Sequence, residues 1–121
     1  MQTGITPQTV LMKNIFELSF IPQKSQEEIE TLVETGSVEN GKGMRLERIL
    51  SFYAKTPEGV WYDQNWEEWI MVIRGNATLE FDNGKEVDIY QGNYLTIHAH
   101  ERHRVSRTSV DCVWLALHFT K

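Results

Sequence analysis

Regularly spaced turn residues divide the chain from Met44 onward into short segments rich in Ile, Val, Leu, Trp and Tyr. Gly, Asn, Asp and Pro cluster at positions 57–59, 75–76, 82–84 and 91–93, where they allow the backbone angles of tight turns. The segments between these turns are predicted strands at residues 45–52, 60–63, 68–73, 77–81, 86–89, 94–97, 103–107 and 113–119. No helix long enough to cross over between strands interrupts them. The sequence therefore predicts an all-β fold, an antiparallel sandwich or barrel.

The first 43 residues lack these regularly spaced turn residues. Ser25 and Glu28 have the spacing of a capping box, in which each side chain satisfies a free backbone donor at the start of a helix. Ile29 and the pair at 32–33 then recur at helical spacing, and Gly36 can end the helix. We predict an N-terminal arm with one short helix over residues 1–43, packed on a β-barrel of residues 44–121. The two parts form one structural domain overall.

Composition excludes several classes of partner. The 121 residues suffice for one domain with its own core. Twelve Lys and Arg against seventeen Asp and Glu give a formal net charge of −5, so the chain has no general attraction to nucleic acid. Apolar runs such as residues 69–73 are too short to span a membrane, and the first thirty residues lack a secretory pattern. Cys112 is the single cysteine, which excludes an intramolecular disulfide. We expect a cytoplasmic protein without nucleic-acid or membrane partners.

Three of the four histidines, His98, His100 and His103, fall within one six-residue window. Alternate side chains of a strand share a face, so His98 and His100 could both face one site if the strand of residues 94–97 continued. A solvated polar turn is an equally good interpretation of the window. Because the connection after Ile97 is tight, we predict that His98 turns inward and His100 turns to solvent. His118, in the last strand, is predicted to be a structural histidine.

Glu68 begins a strand whose two faces are otherwise apolar, with Ile70 on one face and Trp69 on the other. A carboxylate on the inner face costs several kcal/mol unless it is paired or bound to a cation. Glu67 suits a solvated turn, whereas Glu68 suits the mouth of a pocket.

These positions resemble the two sequence motifs of the cupin superfamily of small β-barrels. The first motif ends with Glu, six residues and Gly, as Glu68 and Gly75 stand here, and the second is matched in spacing by Gly92 and His103. The resemblance covers residues 44–119. It is closest to single-domain cupins with Tyr-Asp-Gln before a Glu-Trp pair, a group without a settled activity.

The chain also departs from both motifs. Counting back from Glu68, the two histidines of the first motif are replaced by Trp61 or Tyr62 and by Asp63 or Gln64. The second motif has Pro, Gly and Asn where this chain has His98, His100 and Arg107.

The resemblance implies a jelly-roll barrel with a small-molecule site inside it. It also implies a mononuclear divalent metal, Zn, Mn, Fe or Ni, held by Glu68 and His103 together with Gln64 or His98. Loss of both first-motif histidines favours the alternative, a metal-free module that binds or senses a small ligand. A third interpretation is a dimerisation unit. Isomerase, lyase and dioxygenase chemistries all occur on such barrels, so the resemblance leaves open whether this chain is an enzyme.

Apolar residues on both faces of the predicted strands indicate a homodimer. Trp69, Met71 and Ile73 share one face of their strand, opposite a second apolar face. A small barrel buries only one face of its sheet, so a twofold partner would cover the other. In the alternative, residues 15–20 provide that cover within a monomer.

Overall fold

The computed structural model describes residues 10–18 and 26–121. Its strands are β1 Glu28–Ser37, β2 Lys42–Leu50, β3 Glu67–Arg74, β4 Asn76–Phe81, β5 Glu86–Tyr90, β6 Tyr94–Ile97, β7 His103–Thr108 and β8 Val113–Phe119, with a 3-10 turn at Val38–Asn40. Among these residues, no helix has the length and apolar character needed to cross a membrane.

The strands form two antiparallel sheets. The larger has the order β1-β2-β8-β3-β6 and the smaller the order β5-β4-β7. Buried side chains from both sheets meet in one apolar core, among them Val72 of β3, Leu79 of β4, Ile89 of β5 and Ala116 of β8. The predicted all-β jelly roll is confirmed, although the two sheets stay separate rather than closing into one continuous barrel.

Most predicted strands lie where the turn residues placed them, because alternating burial and turn chemistry are local signals. The predicted strand at residues 60–63 is the exception. It is reduced to a single bridge between Tyr62 and His103. Within this segment Val60 and Tyr62 are 44% and 45% exposed, so the segment lacks the burial that would extend the pairing.

The predicted N-terminal helix is wrong, because its residues form strand β1. β1 pairs with β2 from Glu28 opposite Leu50 to Ser37 opposite Lys42. β-branched residues at positions 29, 31, 33 and 35 favour an extended chain, and the ladder with β2 pairs the backbone groups on one side of the strand. Ser25 of the predicted capping box lies outside the described residues. The larger sheet therefore begins at residue 28, before the predicted start of the β domain.

The hairpin between β1 and β2 depends on Gly43. This residue has a φ of 108°, and a Cβ atom there would lie 2.1 Å from the backbone oxygen of Thr35. Gly41 also has a positive φ, of 84°, but a Cβ atom there would meet nothing within 4 Å. The close approach of the two strands thus excludes a side chain at position 43.

Arg48 of β2 holds the N-terminal segment of residues 10–18 against the larger sheet. Its Nη1 donates to the backbone oxygens of Ile15 (3.0 Å) and Glu17 (2.6 Å), and its Nη2 donates to Glu30 of β1 (2.7 Å). The guanidinium of Arg74 lies 4.4 Å from the centre of the Phe16 ring. The arm is thus attached by polar and cation–π contacts.

Cys112 lies in the core, fully buried and unpaired. Burial, together with the nearby charge of Asp111, raises the pKa of its thiol to about 12. The thiol is therefore protonated and unreactive in the folded protein.

Candidate functional site

A cavity of about 160 Å³ lies between the two sheets. Its apolar wall includes Ile49, Ile70, Leu79 and Val105, which come from both sheets. Its polar wall is formed by Glu27, Glu47, Tyr62, Gln64, Glu68, His103 and His118. This mixture of a large apolar surface and a few polar groups is typical of small-molecule pockets.

Glu68 and His103 meet in this cavity, as the sequence analysis predicted. Glu68 is near the start of β3 and His103 begins β7, so the two residues come from different sheets. The distance from His103 Nε2 to Glu68 Oε1 is 3.7 Å, and both residues are buried. The two sheets thus bring an imidazole and a carboxylate together despite their separation in sequence.

The hydrogen bonds of His103 fix which of its ring nitrogens faces the cavity. Nδ1 lies 2.8 Å from the backbone oxygen of Glu101, and because a carbonyl only accepts, Nδ1 donates. Nε2 is then directed toward Glu68. Burial lowers the pKa of His103, but the contact with Glu68 and the Glu101 carbonyl outweigh burial, so the pKa lies above its usual value.

The opposite shift is found at Glu68. Burial alone would raise the pKa of this carboxyl group, but the contact with His103 and the hydrogen bond from Gln64 lower it by more. The pair therefore favours its ionised form, with a carboxylate next to an imidazolium.

Gln64 is the third predicted ligand, and it also faces the cavity. Its Nε2 donates to Glu68 Oε1 over 2.9 Å. Tyr62 lines the same cavity. Of the two alternatives for the histidine positions of the first motif, Tyr62 and Gln64 are thus the pair that faces the cavity. Asp63 Oδ1 instead lies 2.9 Å from His100 Nδ1, and both of these side chains are exposed.

The prediction that His98 turns inward is wrong. Its side chain is 61% exposed, and its Nδ1 lies 2.7 Å from Glu67 Oε1. Ile97, the last residue of β6, is itself buried and lines the cavity, so the alternation of the strand directs the next side chain, His98, to the outer face. Glu67, expected on a solvated turn, is buried and accepts from the Ala99 backbone N–H at 2.8 Å. The contact with His98 and this backbone bond lower the pKa of Glu67.

His118 and Glu47 are cavity residues that the sequence analysis did not assign to the site. Trp66 Nε1 donates to His118 Nδ1 over 2.8 Å. Because an indole N–H can only donate, the His118 proton is on Nε2, which lies 3.0 Å from Glu47 Oε1. The inward alternation of β8, shared by Trp114, Ala116 and His118, is the one sequence signal that could have indicated this position.

Glu27 adds a third carboxylate to the wall. The residue as a whole is exposed, but its carboxylate accepts a hydrogen bond of 3.1 Å from the buried hydroxyl of Ser51. Ser51 Oγ in turn accepts from Trp114 Nε1, also over 3.1 Å. Burial raises the pKa of Glu27, and the charges of Glu47 and Glu68 raise it further, more than the Ser51 hydrogen bond lowers it.

The donor set fits a resident metal ion poorly. Nowhere in residues 10–18 and 26–121 do three or more His, Cys, Asp or Glu side chains come together in an arrangement that could hold an ion. His118 uses both ring nitrogens in hydrogen bonds, and Gln64 directs its amide N–H toward Glu68. Of the residues predicted to hold a metal, Glu68 and His103 are the two ionisable donors that face the cavity.

A jelly roll with a polar pocket between its sheets defines the class of this protein as a cupin-like fold. The cupin domain family matches residues 52–118, more than half of the chain, so the chain belongs to the cupin family. No protein with a curated description matches it.

Solved structures agree with this assignment. A proposed mannose-6-phosphate isomerase from Ralstonia eutropha JMP134 is 32% identical, with a TM-score of 0.78 over 93% of this chain and 100% of that one. A cupin superfamily protein from Desulfitobacterium hafniense DCB-2 is 12% identical, with a TM-score of 0.68 over 84% of each chain. A protein of unknown function from Streptococcus pyogenes is 14% identical, with a TM-score of 0.68 over 98% of this chain and 93% of that one. The last two share the fold alone.

Proposed function

We propose that this cupin binds a small molecule in the cavity and that the Glu68–His103 pair is its polar anchor. The observation that carries the proposal is the position of the pair, 3.7 Å apart and buried, facing a cavity whose opposite side is apolar. Apolar side chains of similar volume would be at least as stabilising as such a buried ion pair. A role in ligand binding accounts for a costly pair at this place.

A divalent metal on the same residues is the second candidate, and the orientation of His103 favours it. Its Nδ1 donates to a backbone carbonyl, so its Nε2 faces the cavity next to Glu68. Histidines that bind metals are commonly held in this way by a hydrogen bond from the other ring nitrogen. Gln64 would add its amide oxygen after rotation of the side chain, and Zn, Mn, Fe or Ni would suit this mixture of donors. Catalytic ions usually have three protein ligands, so two ionisable donors rank metal-free binding first.

A sugar phosphate, the substrate class in the name of the Ralstonia relative, suits this cavity poorly. Three glutamates face the cavity, and the described part of its wall contains no Lys or Arg. A phosphate group is usually bound by basic side chains or backbone N–H groups. We therefore do not transfer that substrate to this chain.

Ligand-observed NMR with a mixture of small metabolites tests the proposal. Compounds that bind the native protein should lose binding to the Glu68→Gln and His103→Gln variants. The Glu86→Gln variant is the control, because Glu86 is exposed on β5 and outside the cavity wall. Equal binding to all four proteins would place the binding elsewhere and contradict the proposal.

Elemental analysis separates the two candidates. After expression in medium supplied with Zn, Mn, Fe and Ni, one equivalent of an ion that is lost in His103→Gln supports the metal site. An ion content far below one equivalent, before and after reconstitution, supports metal-free binding.

We also propose that the protein is a homodimer. β1 is an edge strand of the larger sheet, and its Ile29 and Val33 are 54% and 50% exposed. A second copy on this edge would remove both side chains from water. Sedimentation equilibrium should give twice the single-chain mass of 14.1 kDa, and the single-chain mass would contradict the proposal. Cytoplasmic location stays a prediction from the sequence.

A further inference from the structure

The ligand cavity is unfinished on the side of β1. Ile29 and Glu27 line the cavity, yet Ile29 is 54% exposed and Glu27 is exposed as a whole. The larger sheet has five strands and the smaller has three, and β1 is an edge strand of the larger one. The smaller sheet is therefore too narrow to cover β1. In the described part of the chain, this side of the cavity is left partly open to solvent.

β1 offers a long edge to another strand. It has ten residues and pairs with β2 on one side, while none of the described residues pairs with its other side. Two of its three glutamates already have partners on β2. Glu30 lies 2.7 Å from Arg48, and Glu34 lies 3.8 Å from Arg45. A free edge of this length, with little unbalanced charge, is a template for pairing with another β-strand.

A β-bulge near the centre of β1 changes which positions face the cavity. The register of β1 against β2 shifts between residues 31 and 33. Before the shift, Ile29 lines the cavity, so odd-numbered residues face inward. After the shift, Glu34 pairs with Arg45, and Arg45 pairs with His118 of the cavity wall. Even-numbered residues therefore face inward in the second half of the strand.

This change of phase allows two copies of β1 to pair antiparallel over their full length. In that register Glu28 of one copy lies opposite Ser37 of the other, so odd-numbered residues oppose even-numbered ones throughout. Opposite residues of two antiparallel strands have their side chains on the same face, and the bulge meets this requirement on both sides of the centre. Ile29 then lies opposite Gly36, which has no side chain to collide with it. The inward face of one sheet thus continues into that of the other copy.

We propose that a second copy of this chain completes the ligand cavity by pairing along β1, an inference that rests on the proposed function. The hairpin between β1 and β2 of the second copy then lies beside Glu27 and Ile29 and covers the open side of the cavity. The contact is twofold, so each copy closes the cavity of the other and no further copies are added.

The charges at the two ends of the paired strands are complementary. Lys42 begins β2 and pairs with Ser37, so in the proposed register it approaches Glu28 of the other copy. Within one chain, Glu28 and Lys42 lie at opposite ends of the hairpin, since Glu28 pairs with Leu50. At about 3.3 Å per residue they are about 30 Å apart, too far for a contact within the chain. An interaction between Glu28 and Lys42 therefore reports the pairing of two copies.

Charge reversal tests this pairing by sedimentation equilibrium. Lys42→Glu should raise the Kd of the dimer about tenfold, because attraction becomes repulsion at both symmetric contacts. The double variant with Glu28→Lys and Lys42→Glu should restore the native Kd. Lys85→Glu is the control, because Lys85 is exposed in the turn before β5, and this variant changes the net charge by the same amount as Lys42→Glu.

Access of a soluble nitroxide to methyl groups tests the closure of the cavity and requires no substitution. Ile29 and Val110 are 54% and 56% exposed in a single chain, so the nitroxide would broaden their methyl NMR signals equally in a monomer. In the native dimer the Ile29 signal should be broadened several-fold less than the Val110 signal, since Val110 lies in the turn before β8, away from β1.

The outcomes distinguish this inference from the proposed function. A monomeric native protein, a double variant that does not regain the native Kd, or equal broadening of Ile29 and Val110 would each overturn the inference. Ligand binding that is lost in Glu68→Gln would stand in all three cases, because Glu68 and His103 belong to one chain. A closed dimer whose cavity binds no compound would contradict the proposed function and leave the pairing of β1 intact.

Discussion

Replacement of Glu68 by Gln should destabilise the protein in a manner that depends on pH. At the observed separation of 3.7 Å and an effective dielectric constant of about 20, the gross attraction between Glu68 and His103 is about 4.5 kcal/mol. Removal of both charges from water offsets much of this attraction. We therefore expect a net loss of about 1–2 kcal/mol on substitution where both groups are charged.

The pH range follows from the two pKa shifts. The pKa of His103 is raised in the fold, so its contribution is complete below the unfolded value of 6.5 and is lost as pH rises through the higher folded value. The pKa of Glu68 is lowered, so its contribution is complete above 4.5 and is lost as pH falls through the lower folded value. The stabilising pair is thus fully present between pH 4.5 and 6.5.

Urea unfolding followed by tryptophan fluorescence measures this effect. At about pH 5.5 Glu68→Gln should lose the full amount, and at about pH 9 clearly less of it, since the contribution of His103 is lost as pH rises through its raised pKa. The control Glu86→Gln should change stability by less than about 0.5 kcal/mol at either pH. An equal loss for Glu68→Gln at both pH values would refute the ion pair.

Three further predictions concern the residues around this pair. Gly43→Ala should lower the free energy of unfolding, measured by urea denaturation, by about 2–4 kcal/mol. Gly41 also has a positive φ but has open space around it, so Gly41→Ala should cost about 1 kcal/mol. Similar losses for the two variants would contradict the clash with Thr35. Glu27→Gln should raise the urea midpoint at pH 7 and leave it unchanged at pH 4, because the raised pKa of Glu27 makes its ionisation above pH 4.5 unfavourable in the folded state. Gln can still accept the hydrogen bond from Ser51, so a lower midpoint at pH 7 would contradict this prediction. Trp66→Phe should lower the free energy of unfolding by about 1 kcal/mol and release His118 from its Nε2–H tautomer. The ¹⁵N chemical shifts of the imidazole ring report the tautomer, and an unchanged tautomer would show that Trp66 does not fix it.

The strands after residue 44 could be predicted because their signals are local. Asp82-Asn83-Gly84 forms the turn between β4 and β5 as its residue types indicate, since Gly84 adopts a positive φ of 88°. β1 could not be predicted in this way. Its apolar residues fit a helical period and an extended one, and the choice is made by pairing with β2, which no local pattern records.

The same distinction applies to the site. Glu68 and His103 could be predicted to meet because a resemblance to a family supplied their long-range pairing. His118 and Glu47 belong to no motif, and only the register of β2 on β8 brings them together, since it places Glu47 opposite Ala116 and Arg45 opposite His118. His98 was misplaced because the sequence does not show which face of β6 is inward. Ile97 faces the cavity, and alternation then directs His98 to solvent.

The rate at which the buried thiol of Cys112 is modified measures how often this fold opens. A thiol with a pKa of about 12 and no exposed surface cannot be alkylated until the core around it separates. Since it is the single cysteine of the chain, the rate of its modification reports opening at one known place between the sheets. Any compound that enters the adjacent cavity and stabilises the closed state will slow that rate, so ligands can be found by mass spectrometry without knowledge of a reaction.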